Sequence, residues 1–274
     1  TIAGGSLAKG ADALAETYNT ADYGSAGNDV IDTGAGDDSF AGDSLAIETG
    51  VEQPEIEDPD SAYTYNTALY GGVAGSDDID AGEGNNIGAG DSAEFSEYGQ
   101  AHAVTGNQAF GEGSKAGDDT IVSGSDNDTI SGGSLAKGVT AVARTDNDAY
   151  DYGSSAGNDV IDTGAGDDSF AGDALAIETG DLDIVAISSA TAQNVAYGDG
   201  TAGSDDIDAG EGNNIGAGDA AEFAEYGYAD AHTYNSAGGD YGSAGDDTIV
   251  AGSGDDSLAG GSLAQGVYAS ADTH

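Results

Sequence analysis

In the segment GNDVIDTGAGDDSF, residues 27–40, Asp29 lies two residues before Ile31 and Asp38 two before Phe40. The halves are nine residues apart in every feature: Gly27 and Gly36, Asp29 and Asp38, Ile31 and Phe40. Carboxylates set among glycines can hold a hard divalent cation, pair as acid and base, or coat a soluble surface. For the first role, glycine lets the chain turn sharply enough to aim backbone carbonyls at an ion that takes several oxygen ligands. The apolar residue two places on points to the same side of a strand as the aspartate, so ligand and core are set together. Because the same arrangement recurs at every corner of the chain, metal binding fits better than an acid–base pair or a surface coat. Surface acids rarely repeat at fixed offsets from glycine and isoleucine.

The elements that must position these acids emerge from internal repetition. TIAGGSLAKG at 1–10 returns as TISGGSLAKG at 129–138, and GNDVIDTGAGDDSFAGD at 27–43 returns unchanged at 157–173. GSDDIDAGEGNNIGAGD at 75–91 returns at 203–219, and SLAGGSLAQG at 257–266 matches residues 1–10 in phase. The chain therefore reads as one continuous array: a first large repeat at 1–128, a second at 129–256 and the start of a third at 257–274. Three related units fill each large repeat, opening at Gly27, Gly75, Gly117, Gly157, Gly203 and Gly245.

Down these six units run columns. The first is Ile31, Ile79, Ile121, Ile161, Ile207 and Ile249; the second reads Phe40, Ile87, Ile130, Phe170, Ile215 and Leu258. A third includes Leu45, Leu135, Leu175 and Leu263, and aromatic–glycine pairs begin at Tyr23, Tyr70, Phe110, Tyr152, Tyr197 and Tyr241. A single unit cannot bury its apolar side, but coils stacked at about 4.8 Å turn each column into a ladder. Segments such as AYTYNTALYG at 62–71 and DSLAIET at 43–49 suit strands, with glycines at the corners. The fold class expected is all-β: a parallel β-solenoid of about six stacked coils of roughly 43 residues. Whether each unit makes one coil or two smaller ones stays open. The inserts differ most at 50–61, GVEQPEIEDPDS, against DLDIVAISSA at 181–190, as expected of a solvent-facing loop.

The motif GNDVIDTGA followed by GDDSFAGD resembles the glycine- and aspartate-rich nonapeptide of the haemolysin-type (RTX) calcium-binding family, G-G-x-G-x-D-x-U-x. It recurs as GDDTIVSGS with DNDTIS at 117–131 and as GDDTIVAGS with GDDSLA at 245–259. The resemblance implies a short strand ending in a glycine-rich turn, with Ca²⁺ held between turns of neighbouring coils. Carried over position by position, the implied ligands are Asp29, Asp38, Asp77, Asp119, Asp128, Asp159, Asp168, Asp205, Asp247 and Asp256. About six to twelve ions are expected. In the middle units GEGNNIGAG departs from the pattern: Asn85 and Asn213 replace the aspartate, and Ile87 and Ile215 arrive one residue early. Asp43, Asp91, Asp173 and Asp219, in the recurring AGD, read equally as extra ligands or as solvated corner acids.

Composition narrows the function. Four Lys and Arg against 52 Asp and Glu give a formal charge of −48, which excludes a nucleic-acid partner and demands bound counter-ions. With 48 glycines and no cysteine, neither a bulky core nor disulfides hold the chain. No apolar run is long enough to insert in a membrane. No nucleophile–base pair, P-loop or HExxH is present, and the reading is not an enzyme. His102 and His232 occupy related places in the two copies and read as packed or solvent-facing side chains. The expected role is a secreted, calcium-dependent structural protein whose solenoid ends pair head to tail into a filament, surface layer or matrix. An adhesin stalk and the carrier region of a larger secreted protein are the alternatives. The family resemblance points to one-step (type I) secretion from a Gram-negative bacterium.

Overall fold

The computed structural model describes residues 1–10, 13–48, 60–97, 99–179, 187–224, 228–238 and 241–274. The variable insert tips fall mainly outside these residues. Every regular element among the described residues is a β-strand, and all the pairings between neighbouring coils are parallel. One full turn runs Thr129–Ser131, Ser134–Gly138, Thr140–Tyr150, Ser155–Ala156 and Val160–Asp162. These five strands belong to five separate sheets, designated A to E in that order, of seven, seven, seven, six and six strands. From Asp29 to Asp247 the coil-to-coil step is 48, 42, 40, 46 and 42 residues. Each unit therefore makes one coil, not two smaller ones.

Small side chains make this cross-section close. Long sheet C strands alternate alanine inward with polar residues outward, and Ala101, Ala103, Ala141, Ala143, Ala190 and Ala192 pack on sheet B alanines such as Ala136 and Ala176. The bulkier ladder lies under sheets A and E: Ile31, Ile79, Ile121, Ile161 and Ile207, in register coil on coil, with Phe40, Ile130 and Phe170. Leu45, Leu135 and Leu175 form the third column with Ala93 and Ala221 in the coils between. A chain rich in alanine and glycine is dry inside because its sheets approach closely, not because it carries large residues.

Two columns differ from expectation. Ile87 and Ile215 do not join Phe40; they align with Ser39 and Ser169, and Gly88 and Gly216 stand in the Phe40 column. A Cβ on Gly88 or Gly216 would run into the ring of Phe40 or Phe170, so each phenylalanine fills the interior of two coils. The aromatic–glycine pairs are likewise not one column. Tyr23 and Tyr70 stack on each other at a left-handed corner, φ +57° and +51°, whereas Phe110 stacks on Tyr150 and Tyr150 on Tyr197 at the end of sheet C. Tyr150 thus takes the place that the sequence pattern gives to Tyr152, which stands exposed in the turn.

Candidate metal centre

The first motif aspartates lie at the corner between sheets D and E, where Gly27, Gly75, Gly117, Gly157, Gly203 and Gly245 all take φ between +52° and +64°. A side chain there would be strained, and would also strike an asparagine inside the coil: Asn19, Asn66, Asn107, Asn147, Asn194 or Asn235. Beyond this corner Asp29, Asp77, Asp119, Asp159, Asp205 and Asp247 stack in a row. The Oδ1 of each from Asp77 onward accepts the backbone N–H of its equivalent one coil earlier, at 2.7, 2.7, 2.8, 2.8 and 3.0 Å. The other oxygen is stranded. Oδ2 of Asp77, Asp119, Asp159, Asp205 and Asp247 is buried with no hydrogen-bond partner among the described residues.

Each stranded oxygen rests on a glycine of the coil before. A Cβ on Gly42, Gly90, Gly132, Gly172 or Gly218 would collide with Oδ2 of Asp77, Asp119, Asp159, Asp205 or Asp247 in turn. The glycine of A-G-D is thus kept open by the next coil, whose aspartate carboxylate and whose equivalent glycine carbonyl both press on it.

The second row sits between sheets E and A: Asp38, Asn86, Asp128, Asp168, Asn214 and Asp256, linked in the same way at 3.1, 2.7, 2.8, 3.1 and 2.9 Å. Here the sequence alignment of the middle units is corrected. Asn86 and Asn214 fill the buried row, while Asn85 and Asn213 belong to an exposed ladder with Asp37, Asn127, Asp167 and Asp255. The substitution has a chemical logic. Asn86 Nδ2 donates to the carbonyls of Gly82 and Gly84 at 3.2 and 3.0 Å, and Asn214 Nδ2 to that of Ala209 at 2.8 Å. An amide satisfies those turn carbonyls itself, whereas an ionised aspartate offers acceptors only and needs a cation or a donor beside it. Asp168 has part of one, since Thr163 Oγ1 donates to its Oδ2 at 2.9 Å. Asn86→Asp is therefore expected to cost about 2 kcal/mol in chelator and much less in saturating calcium, read from urea unfolding in both conditions. Equal losses in the two conditions would contradict this assignment.

Asp43, Asp91, Asp173 and Asp219 are wholly buried, so the solvated-corner alternative is overturned. Their partners are six asparagines that no sequence column picks out. These form an internal ladder, each Nδ2 from Asn19 to Asn194 reaching the Oδ1 of the next, at 3.0 or 3.1 Å. Glu48, Glu94, Glu178 and Glu222 are also buried, and neither oxygen of Glu222 finds a hydrogen-bond partner among the described residues.

Burial dominates the electrostatics. Desolvation pushes Asp43 up to about 7, Asp77 to about 8, Asp219 to about 9 and Asp247 to about 6, with neighbouring carboxylates adding to the shift. The same cause lifts Asp91, Asp119, Asp159, Asp173 and Asp205 well above the ordinary carboxylate range. In the second row Asp128 rises to about 6, again through burial. The histidines stay apart from these rows. His102 packs edge-on to Tyr63 and His232 pairs with Asp230 at 3.0 Å, both on sheet C. They occupy different columns: His102 aligns through Val142 and Ser189 with Asp230, two residues before His232.

The profile of the RTX calcium-binding nonapeptide repeat matches residues 23–44, 115–134, 154–174 and 241–262. The chain carries four RTX repeats. Comparison with curated proteins and with solved structures returned no match. The matched stretches span both aspartate rows, and the middle units left unmatched are those in which Asn86 and Asn214 stand in the second row. RTX repeats imply calcium, and the residues fit it: a row of buried, stranded carboxylate oxygens is what a hard cation takes. Bound there, the ion would supply the positive charge that these oxygens lack. The residues that would hold it are Asp29, Asp77, Asp119, Asp159, Asp205 and Asp247 in the first row and Asp38, Asp128, Asp168 and Asp256 in the second, of which Asp77, Asp119, Asp128, Asp159, Asp205 and Asp247 carry the stranded Oδ2 atoms.

Proposed function

We propose that this is a calcium-dependent extracellular structural protein whose solenoids stack end to end into a filament, surface layer or matrix. The stranded carboxylate row carries the calcium dependence. Left ionised without a cation, several buried acids cost more than a chain with an alanine core can offset. Calcium scarcity inside a cell would keep the chain open during one-step export, and calcium outside would close it; secretion from a Gram-negative bacterium accords with the RTX repeats.

Stacking is supported by the columns, which run in register from coil to coil. A second copy placing its Ile2 and Leu7 over Leu258 and Leu263 would continue both columns and pair the open edges of sheets A to C. Adding calcium to the unfolded chain is expected to raise light scattering together with β-structure, with long assemblies seen by negative-stain microscopy. Folded particles that remain monomeric at high concentration would refute the stacking and favour an adhesin stalk.

A further inference from the structure

We propose that the solenoid holds a second class of cation site, inside the coil, where an A-G-D aspartate meets two first-row aspartates of successive coils. One oxygen each of Asp159, Asp173 and Asp205 lies within 4.8 Å of the others. All three side chains are buried, at 1%, 0% and 2% exposure, and the stranded Oδ2 atoms of Asp159 and Asp205 belong to this group of residues. This inference rests on the calcium reading of the first row and extends it to the A-G-D aspartate, which is neither of the two motif aspartates carried over as ligands.

The asparagine ladder builds the site. Asn147 Nδ2 donates to Asp173 Oδ1 at 2.6 Å and Asn194 Nδ2 to its Oδ2 at 2.9 Å, so amides from two coils fix the carboxylate. Each oxygen thereby accepts one hydrogen bond and keeps a lone pair for another partner. Asp43 is held in the same way by Asn19 and Asn66, Asp91 by Asn66 and Asn107, and Asp219 by Asn194 and Asn235. Two amides neutralise no charge. Three buried carboxylates that converge need a cation once they are ionised, and the fit is to a hard divalent ion with oxygen ligands.

The register then fixes where this site falls. The A-G-D column reads Gly5, Asp43, Asp91, Gly133, Asp173, Asp219 and Gly261. Three other steps bring the same residue types into register: Asp29, Asp43 and Asp77; Asp77, Asp91 and Asp119; and Asp205, Asp219 and Asp247. Among the described residues, however, only Asp159, Asp173 and Asp205 bring one oxygen each within 4.8 Å of the others. The step between Asp119 and Asp159 has Gly133 instead, with Thr145 Oγ1 against it. The interior site therefore falls at the step from Asp159 to Asp205.

An ion held there exchanges only when the coil opens, so it should survive rapid desalting. The full chain is loaded with calcium, desalted and weighed by native mass spectrometry beside Asp173→Asn and Asp173→Gly. Glycine is the residue that the same column already accepts at 133, so the second variant is expected to fold. The expected result is one more retained ion in the unsubstituted chain than in either variant. Equal counts in all three chains would overturn the interior site while leaving calcium-dependent folding in place. A chain that neither binds calcium nor needs it to fold would overturn both readings. A crystal structure of the calcium-loaded, unsubstituted chain tests the site without any variant. Anomalous density between Asp159, Asp173 and Asp205 is expected there, and a water or an empty gap would refute the site.

Discussion

Ile121→Asp is expected to split the solenoid at its middle even in saturating calcium. Ile121 is wholly buried, pairs in register with Ile79 on one side and Ile161 on the other, and belongs to the ladder that includes Phe40 and Phe170. A carboxylate here would sit among the apolar side chains of that ladder. The cost of burying such a charge unpaired is at least several kcal/mol, against about 1 kcal/mol for Ile121→Val. Coils contact only their neighbours, so the damage is expected to be local. Hydrogen exchange should show Asp78–Gly82, Thr120–Ser123 and Val160–Asp162 losing protection while the strands of coils farther along keep theirs. Protection unchanged across those three strands would mean that the isoleucine ladder does not hold the coils together.

In chelator, raising the pH from 5 to 9 is expected to melt the calcium-free chain. Unfolded aspartates release their protons near pH 4. In the folded chain, burial holds Asp247 to about 6, Asp43 to about 7, Asp77 to about 8 and Asp219 to about 9, and lifts the five central acids well above an ordinary carboxylate. A folded pKa above the unfolded one means that the fold keeps protons that the open chain gives up. That advantage is complete below about pH 4 and is lost as the pH climbs through 6 to 9. Protons thus stand in for calcium at low pH, and calcium must replace them at neutral pH. Surface repulsion in a chain of formal charge −48 acts in the same direction. Salt at 1 M shortens its range to about 3 Å and acts far less on buried groups, so the transition should persist there. A calcium-free chain with the same circular dichroism at pH 5 and pH 9 would contradict the buried-acid account.

Much of this architecture is legible in the residues because a solenoid writes its contacts into its period. The isoleucines four residues after each motif glycine are one ladder in space, and the aspartates two residues before them share its inward side. What stays hidden depends on variable corners or on the coil next door. The asparagine ladder lies eight residues before its glycine at Asn19 but nine at Asn66 and ten at Asn107, so no fixed offset reveals it. A signal is present all the same: five of the six asparagines end a Thr-x-Asn triplet, and alanine replaces the threonine only before Asn194. The middle units mislead through their isoleucines. Aligning Ile87 with Phe40 shifts the frame by one, and only the backbone pairing shows Gly88 beneath the Phe40 ring. Likewise the glycine of A-G-D looks like a turn residue, and its reason is the close approach of the following coil, carboxylate and backbone carbonyl together.

If calcium closes this chain by satisfying its interior acids, the chelated chain should be open at neutral pH and should fold when the ion is restored. Titrating calcium into it at pH 7.5, followed by far-ultraviolet circular dichroism and reversed with excess chelator, puts that to the test. A cooperative change from an open chain to β-structure, undone by chelation, is expected. A β-rich spectrum that is the same with and without calcium would show that the interior acids need no cation.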